Sequence, residues 1–257
     1  MFVVFKKLIS AYFKFFIRHL YWLYRLSAVK GIKKLKVNFP VCIEGKGQIA
    51  FGPSSVIDKR ASLKVTLNSA LSFESNTHIG QNADIRIDSG ASLTGKENCS
   101  IGNNSRIYIN NHWEFGNNAN IATYCSIFSR EAGLFGRLIM SDNSYIADNC
   151  IIDVADDVII GKDVAIGPGC TFYTHDHEYD DLNLPAWNGK KTTGKIEIGN
   201  KSWIGSNVTV LPNVSIGKHV VVAANSVVTK SIPDNTVWAG VPARQIKSLV
   251  EKNDAFY

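Results

Sequence analysis

Six aliphatic residues near the C-terminus recur at one fixed interval: Ile198, Ile204, Val210, Ile216, Val222 and Val228. Gly199, Gly205 and Gly217 directly follow three of them. A six-residue period fits neither the 3.6-residue repeat of a helix nor the two-residue repeat of a strand. It fits a coil of three short strands, each side burying one aliphatic residue inside a prism, and repeats of this length mark a parallel β-helix. A β-sandwich would instead show period two with turns every 8–12 residues.

The same interval links Val154, Ile160, Ile166 and Phe172. Shorter runs precede it: Ile43 and Ile49; Ile79 and Ile85; Ile101 and Ile107; Phe115, Ile121 and Ile127. Most runs are offset by slips that are not multiples of six, which read as bulges or small loops at prism corners. Gly102-Asn103-Asn104, Gly116-Asn117-Asn118, Gly161-Lys162-Asp163 and Gly217-Lys218 fall at such corners, and Gly and Asn tolerate the positive φ a tight corner needs. The hexads stop between Phe172 and Ile198. The segment Tyr173 to Lys195 is polar and holds His175, His177, four acidic residues and Trp187. A long loop leaving a rigid solenoid is a place to look for function.

The 257 residues are 45% hydrophobic, enough for a substantial core. Cys42, Cys99, Cys125, Cys150 and Cys170 form no CxxC pair, so they read as small apolar residues in a reduced compartment. Residues 1–36 carry nine Lys or Arg and no acid, which leaves 19 of the 28 basic residues against all 22 acidic ones in the rest. The body is therefore slightly acidic, which argues against nucleic-acid binding.

The basic segment, residues 1–36, reads as amphipathic helix. Phe5, Ile9, Tyr12, Phe16, Leu20 and Leu23 share one face, with Lys7, Lys14, Arg18 and Arg25 on the opposite stripe. Its apolar runs fall short of the roughly 18 residues a spanning helix needs, and it has no signal-peptide cleavage pattern. Residues 1–28 suit a helix lying in a membrane interface with cations toward anionic lipid. The same helix also suits capping the open end of the coil or packing on a partner subunit. The expected organisation is thus a mainly β chain: a helical segment over 1–36, a β-helix over 37–240 with an excursion at 173–197, and a short helical tail over 241–257.

His175 and His177 stand at the exit of a hexad strand. A histidine held there can take a proton from an alcohol or amine near neutral pH. Glu178, Asp180 or Asp181 could orient the imidazole. The stretch from Trp203 to Lys247, WIGSNVTVLPNVSIGKHVVVAANSVVTKSIPDNTVWAGVPARQIK, resembles the C-terminal half of the bacterial hexapeptide-repeat O-acetyltransferases, among them the maltose, galactoside and colanic-acid acetyltransferases. IGKDVAIGPGCTFYTHDH, Ile160 to His177, continues the resemblance.

The resemblance implies a left-handed coil, a homotrimer and active sites between neighbouring subunits. It implies a catalytic histidine nine residues after the Pro of the IGPG motif, which from Pro168 is His177, with His175 second. Acetyl-CoA is implied along the C-terminal coils, at Ser206, Ala224, Thr229, Lys230, Arg244 and Lys247. Gly205, Ala223 and Ala224 would leave room for its pantetheine arm, and Trp203 would wall the channel or pack outside it. Asn149 and Asp153 fall near acceptor-contacting positions of the relatives. The basic aromatic N-terminus departs from the sugar acetyltransferases, whose N-terminal region carries acceptor-contacting acids. That departure favours a polysaccharide unit or lipid-linked precursor at the cytoplasmic face of the inner membrane over free maltose or galactoside. The alternatives are N-acetyl transfer to a nucleotide-linked amino sugar, a carbonic-anhydrase-like zinc enzyme drawing on His78 or His112, and an inert scaffold. No metal is expected in the preferred reading.

Overall fold

The computed structural model describes residues 2–249. After an N-terminal helix, Phe2–Ser27, the chain winds as a left-handed parallel β-helix with three faces. Face I is an 11-stranded sheet from Lys36–Val37 to Arg244–Ser248. Face II has nine strands, from Cys42–Glu44 to Val227–Val228, and face III has eight, from Gln48–Phe51 to Ser215–Ile216.

The hexad residues are the interior of this prism. Ile166, Ile204 and Val222 stack on face I; Phe172, Val210 and Val228 on face II; Ile160, Ile198 and Ile216 on face III. All nine are at most 2% exposed. Each buried aliphatic side chain contributes roughly 1.5–3 kcal/mol relative to exposure, and the columns run through every coil. Cys99, Cys125, Cys150 and Cys170 are buried, unpaired thiols. Each lies within reach of a carbonyl one coil on, for instance Cys170 Sγ 3.1 Å from Gly205 O. Burial pushes the Cys99 thiol up to about 11, which suits packing rather than nucleophilic chemistry.

Three details differ from expectation. The slips in the early hexads are longer faces, not corner bulges. Strands such as Ser62–Val65, Asp84–Ile87 and Arg106–Ile109 have four residues and bury two, so the early prism is wider. Gly102, Gly116, Gly161 and Gly217 do not supply the positive φ at their corners. Asn104, Asn118, Asp163 and His219, two residues after the glycines, do so instead. The glycines allow coil-to-coil approach: a Cβ on Gly102 would sit 2.5 Å from the Ala122 backbone. The tail is strand rather than helix over its described part. Arg244–Ser248 pairs antiparallel with Thr236–Ala239 and covers the last edge of face I, satisfying backbone groups that a helix would leave open. Residues 250–257 of the expected tail lie outside the described residues.

The N-terminal helix crosses the opposite end. Leu26 and Val29 are buried against the first coil. Arg18 pairs with Glu44, Tyr21 donates to Gly45 O at 3.1 Å and Arg25 to Gly47 O at 2.9 Å. Half of the expected cation stripe therefore faces the coil. Tyr12, Phe13, Phe15, Phe16, Leu20, Leu23 and Tyr24 are exposed; the side chains of Phe5 and Ile9 lie outside the described set.

Candidate active site

Both chain insertions open at the corner joining faces II and III. The first, between Ser126–Phe128 and Leu138–Met140, carries Arg130 and Glu131. The second leaves Thr171–Phe172, runs out as a strand His175–His177, returns antiparallel as Lys191–Thr193, and rejoins face III at Ile196. The hairpin closes tightly because Gly189 has no side chain: a Cβ there would sit 1.6 Å from Glu178 O.

The hairpin presents two imidazoles in related settings. His175 Nδ1 lies 2.7 Å from Asp153 Oδ2, a carboxylate with no solvent exposure. Thr174 donates to the same oxygen, from its backbone N–H at 3.1 Å and its hydroxyl at 2.9 Å. The Arg130 N–H donates to Asp153 Oδ1 at 2.8 Å. His177 Nδ1 lies 3.3 Å from Gly189 O. Both Nε2 atoms turn toward Glu131 Oε1, at 3.6 Å from His175 and 3.5 Å from His177. Lys191 holds the other oxygen of Glu131.

These contacts set the charges. Burial pushes the Asp153 carboxyl up, but hydrogen bonds from His175, the Arg130 backbone and Thr174 outweigh it and hold it below the usual range. The Lys191 hydrogen bond leads in holding Glu131 below its usual value. Two ionised carboxylates thus flank two imidazoles whose Nδ1 atoms are anchored. An anchored Nδ1–H leaves the Nε2 lone pair free to accept a proton, and the carboxylates stabilise the imidazolium that results.

Glu131, His175 and His177 also offer ligand atoms that all lie within 4.8 Å of one another. The structure thus brings together His175, His177 and Asp153. It adds Glu131 and Lys191, which the sequence reading missed; the break in the hexads between Ile127 and Val154 was the available signal for Glu131. Glu178, Asp180 and Asp181, considered as orienting acids, are exposed beyond the hairpin, and Asp153 takes that place.

Asn149 is not brought to this corner. It turns the corner between faces I and II with φ 59°. Gly205, Ser206 and Ala224 share that other corner, where Asn225 N–H donates to Ser206 O at 2.9 Å. At Gly205 a Cβ would meet Ala224 N at 2.6 Å, so the glycine lets the coils stack closely there. Trp203 is 58% exposed on face I, outside the solenoid. Thr229 and Lys230 follow the last strand of face II, at the histidine corner, with Lys230 Nζ 5.7 Å from the Trp238 ring. Arg244 and Lys247 are exposed on the final strand of face I. His78 and His112 bond to Asp58 and Ser92 and do not converge with the hairpin.

Residues 195–230 match the bacterial transferase hexapeptide (six repeats) family model. A protein of Escherichia coli K12, provisionally named lipopolysaccharide biosynthesis O-acetyl transferase WbbJ, is 42% identical over 122 residues, 44% of this chain and 62% of its own length. The galactoside O-acetyltransferase of the same organism is 39% identical over 112 residues, 42% of this chain and 54% of its own. The chain therefore spans less than two thirds of these relatives. A solved hexapeptide-repeat acetyltransferase of Vibrio cholerae O1 biovar eltor, complexed with acetyl-CoA, is 26% identical with a TM-score of 0.43 over 62% of this chain and 72% of that one. The matched C-terminal hexads and the names of these relatives make this chain similar to the bacterial hexapeptide-repeat transferases.

Proposed function

We propose that the chain is an acetyl-CoA-dependent O-acetyltransferase acting on a sugar hydroxyl of a surface polysaccharide or its lipid-linked precursor. The observation that carries this reading is the pair of imidazoles at one corner, each anchored through Nδ1 and each turning Nε2 toward the Glu131 carboxylate. The named relatives support acetyl transfer, and the first of them supports a glycan setting. His177 Nε2 removes the hydroxyl proton as the oxygen attacks the thioester carbon. The tetrahedral intermediate collapses, the C–S bond breaks, and the imidazolium returns its proton to the departing CoA thiolate. His175, held by Asp153, fixes the strand that carries His177 and lies beside the developing positive charge. Holding hydroxyl and thioester in one groove supplies the proximity term. Lys230, Arg244 and Lys247 supply cations for the CoA phosphates.

Purified protein is incubated with acetyl-CoA and surface glycan from a strain lacking the gene, and CoA release is followed. Wild type transfers acetyl to the glycan, and His177→Ala lowers kcat by at least about a hundredfold. Near-normal turnover by that variant would remove His177 from the base role.

A second reading is favoured by the convergence of Glu131, His175 and His177. A divalent metal bound there would leave positions open for water, and both imidazoles have the outer hydrogen bonds that metal-ligating histidines use. Lys191, already on Glu131, competes with it. Stoichiometric zinc in protein purified without added metal would replace the acyl-transfer reading with a metal-hydroxide one.

No described helix is long and apolar enough to cross a membrane. The exposed aromatic side of the N-terminal helix suits interfacial contact, which would bring the enzyme to lipid-linked acceptors at the cytoplasmic face of the inner membrane.

A further inference from the structure

Outward-facing residues form a ladder on face II that ends at the histidine corner. In register from one coil to the next stand Lys64, Arg86 and Tyr108. Ile107 pairs with Ile127, which places Phe128 one coil beyond Tyr108, and Phe128 pairs in turn with Asp153, the partner of His175. The planar groups stack: the Arg86 guanidinium lies 4.5 Å from the Tyr108 ring centre, Tyr108 stacks on Phe128 at 5.0 Å and 26°, and the Arg130 guanidinium lies 4.5 Å from the Phe128 ring. A groove of about 260 Å³ runs along this ladder from Lys64 to Ser129.

The charges of the ladder are not balanced. Asp84 is taken up by Arg86 and the Tyr108 hydroxyl, and Asp88 accepts from the Asn110 amide. Among the described residues Lys64, which lines the groove, and Arg106 and Arg130, which stand beside it, have no carboxylate partner; the two guanidinium groups reach only Ser126 Oγ, both at 3.4 Å. Arg130 is held in place by stacking yet keeps most of its N–H donors open. A guanidinium fixed in this way loses little entropy on binding and presents a fork that matches a carboxylate or phosphate. The groove is smaller than the 300–1,000 Å³ of drug-sized ligand sites, so it suits one charged group and the ring that bears it.

We propose that this ladder binds an anionic group, phosphate or carboxylate, on the acceptor glycan, about one to four sugar units from the hydroxyl that His177 deprotonates. Coils are spaced by about 4.8 Å, so the groove runs from roughly 5 Å from Asp153 at Phe128 to roughly 19 Å from it at Lys64. The identification of the ligand as the acceptor rests on the acyl-transfer reading; the anion site itself does not.

Saturation-transfer NMR on the full-length protein, with glucose 1-phosphate, glucuronate and glucose as probes, tests it. Either anion binds at least about tenfold more tightly than glucose, and added salt weakens it. Whichever anion wins separates phosphate from carboxylate. Arg106→Gln combined with Lys64→Gln lowers that binding at least about fivefold, and Phe128→Leu lowers it by loosening Arg130. Acetyl-CoA hydrolysis without acceptor stays at the wild-type rate in Arg106→Gln and Lys64→Gln, which also shows that these variants fold. Equal binding of glucose and the anions, or anion binding unchanged in the variants, overturns the site. Anion binding that behaves as expected in a protein that neither binds nor hydrolyses acetyl-CoA would keep the site and sink the acyl-transfer reading.

Discussion

Asp153 sits with no solvent exposure, yet its carboxyl is held ionised by donors from three neighbours. Its folded pKa is depressed relative to the unfolded chain. The stability it supplies is therefore present above the ordinary aspartate range, near 4, and is lost as pH falls through the lower folded value. Asp153→Asn removes the charged acceptor and costs about 2 kcal/mol at pH 7. Denaturant titrations of both proteins over a pH series show the gap at neutral pH and its closure under acid. A gap that stays constant with pH would mean that Asp153 acts by shape rather than charge. His175 and His177 were legible because a hexad strand ends just before them. Asp153 was marked only as an acceptor contact, because its pairing with His175 spans two strands that stack one coil apart. Glu131 was signalled only by a break in the hexads, for the same reason: its loop meets the hairpin only once the prism is wound.

The N-terminal helix was legible as an element but not in its orientation. Its spacing gave the amphipathic pattern, but spacing does not say which stripe faces the protein. Arg18 and Arg25 serve the first coil, so Lys6, Lys7 and Lys14 remain for lipid. Each contributes about 1 kcal/mol near an anionic surface, and Phe13 and Phe16 add apolar insertion. The proposed interfacial contact predicts that the full chain sediments with phosphatidylglycerol vesicles more than with phosphatidylcholine vesicles. Phe13→Glu with Phe16→Glu abolishes the association while leaving the coil folded, because both side chains are exposed. Unchanged sedimentation of that double variant would assign the helix to coil capping or subunit packing. The coil itself was read from its last six hexads, where each side buries one residue. The early coils hid the period because their wider faces bury two residues per strand, as with Ile49 and Phe51.

At the scale of the whole molecule, the residues proposed for acetyl-CoA are divided between two corners of one prism, and only some of them share a corner with His177. His177, Thr229 and Lys230 lie where faces II and III meet; Ser206 and Ala224 lie where faces I and II meet. A solenoid this regular has no hinge that could bring the corners together, because every coil is bonded to the next through its backbone. A neighbouring copy can do so if its first corner packs beside the histidine corner, and cyclic symmetry then repeats the site at each interface. The assembly expected is a trimer of the 28.3 kDa chain. Sedimentation equilibrium gives its mass, and subunit mixing shows where the site lies. His177→Ala lacks the base, and Ala224→Trp blocks the cofactor corner with a bulky ring at an exposed position. Each is inactive alone. Unfolded together in equal amounts and refolded, they regain about one quarter of wild-type activity, because one interface in four joins an intact histidine corner to an intact cofactor corner. If a single chain held the whole site, every chain in the mixture would carry one defect and no activity would return.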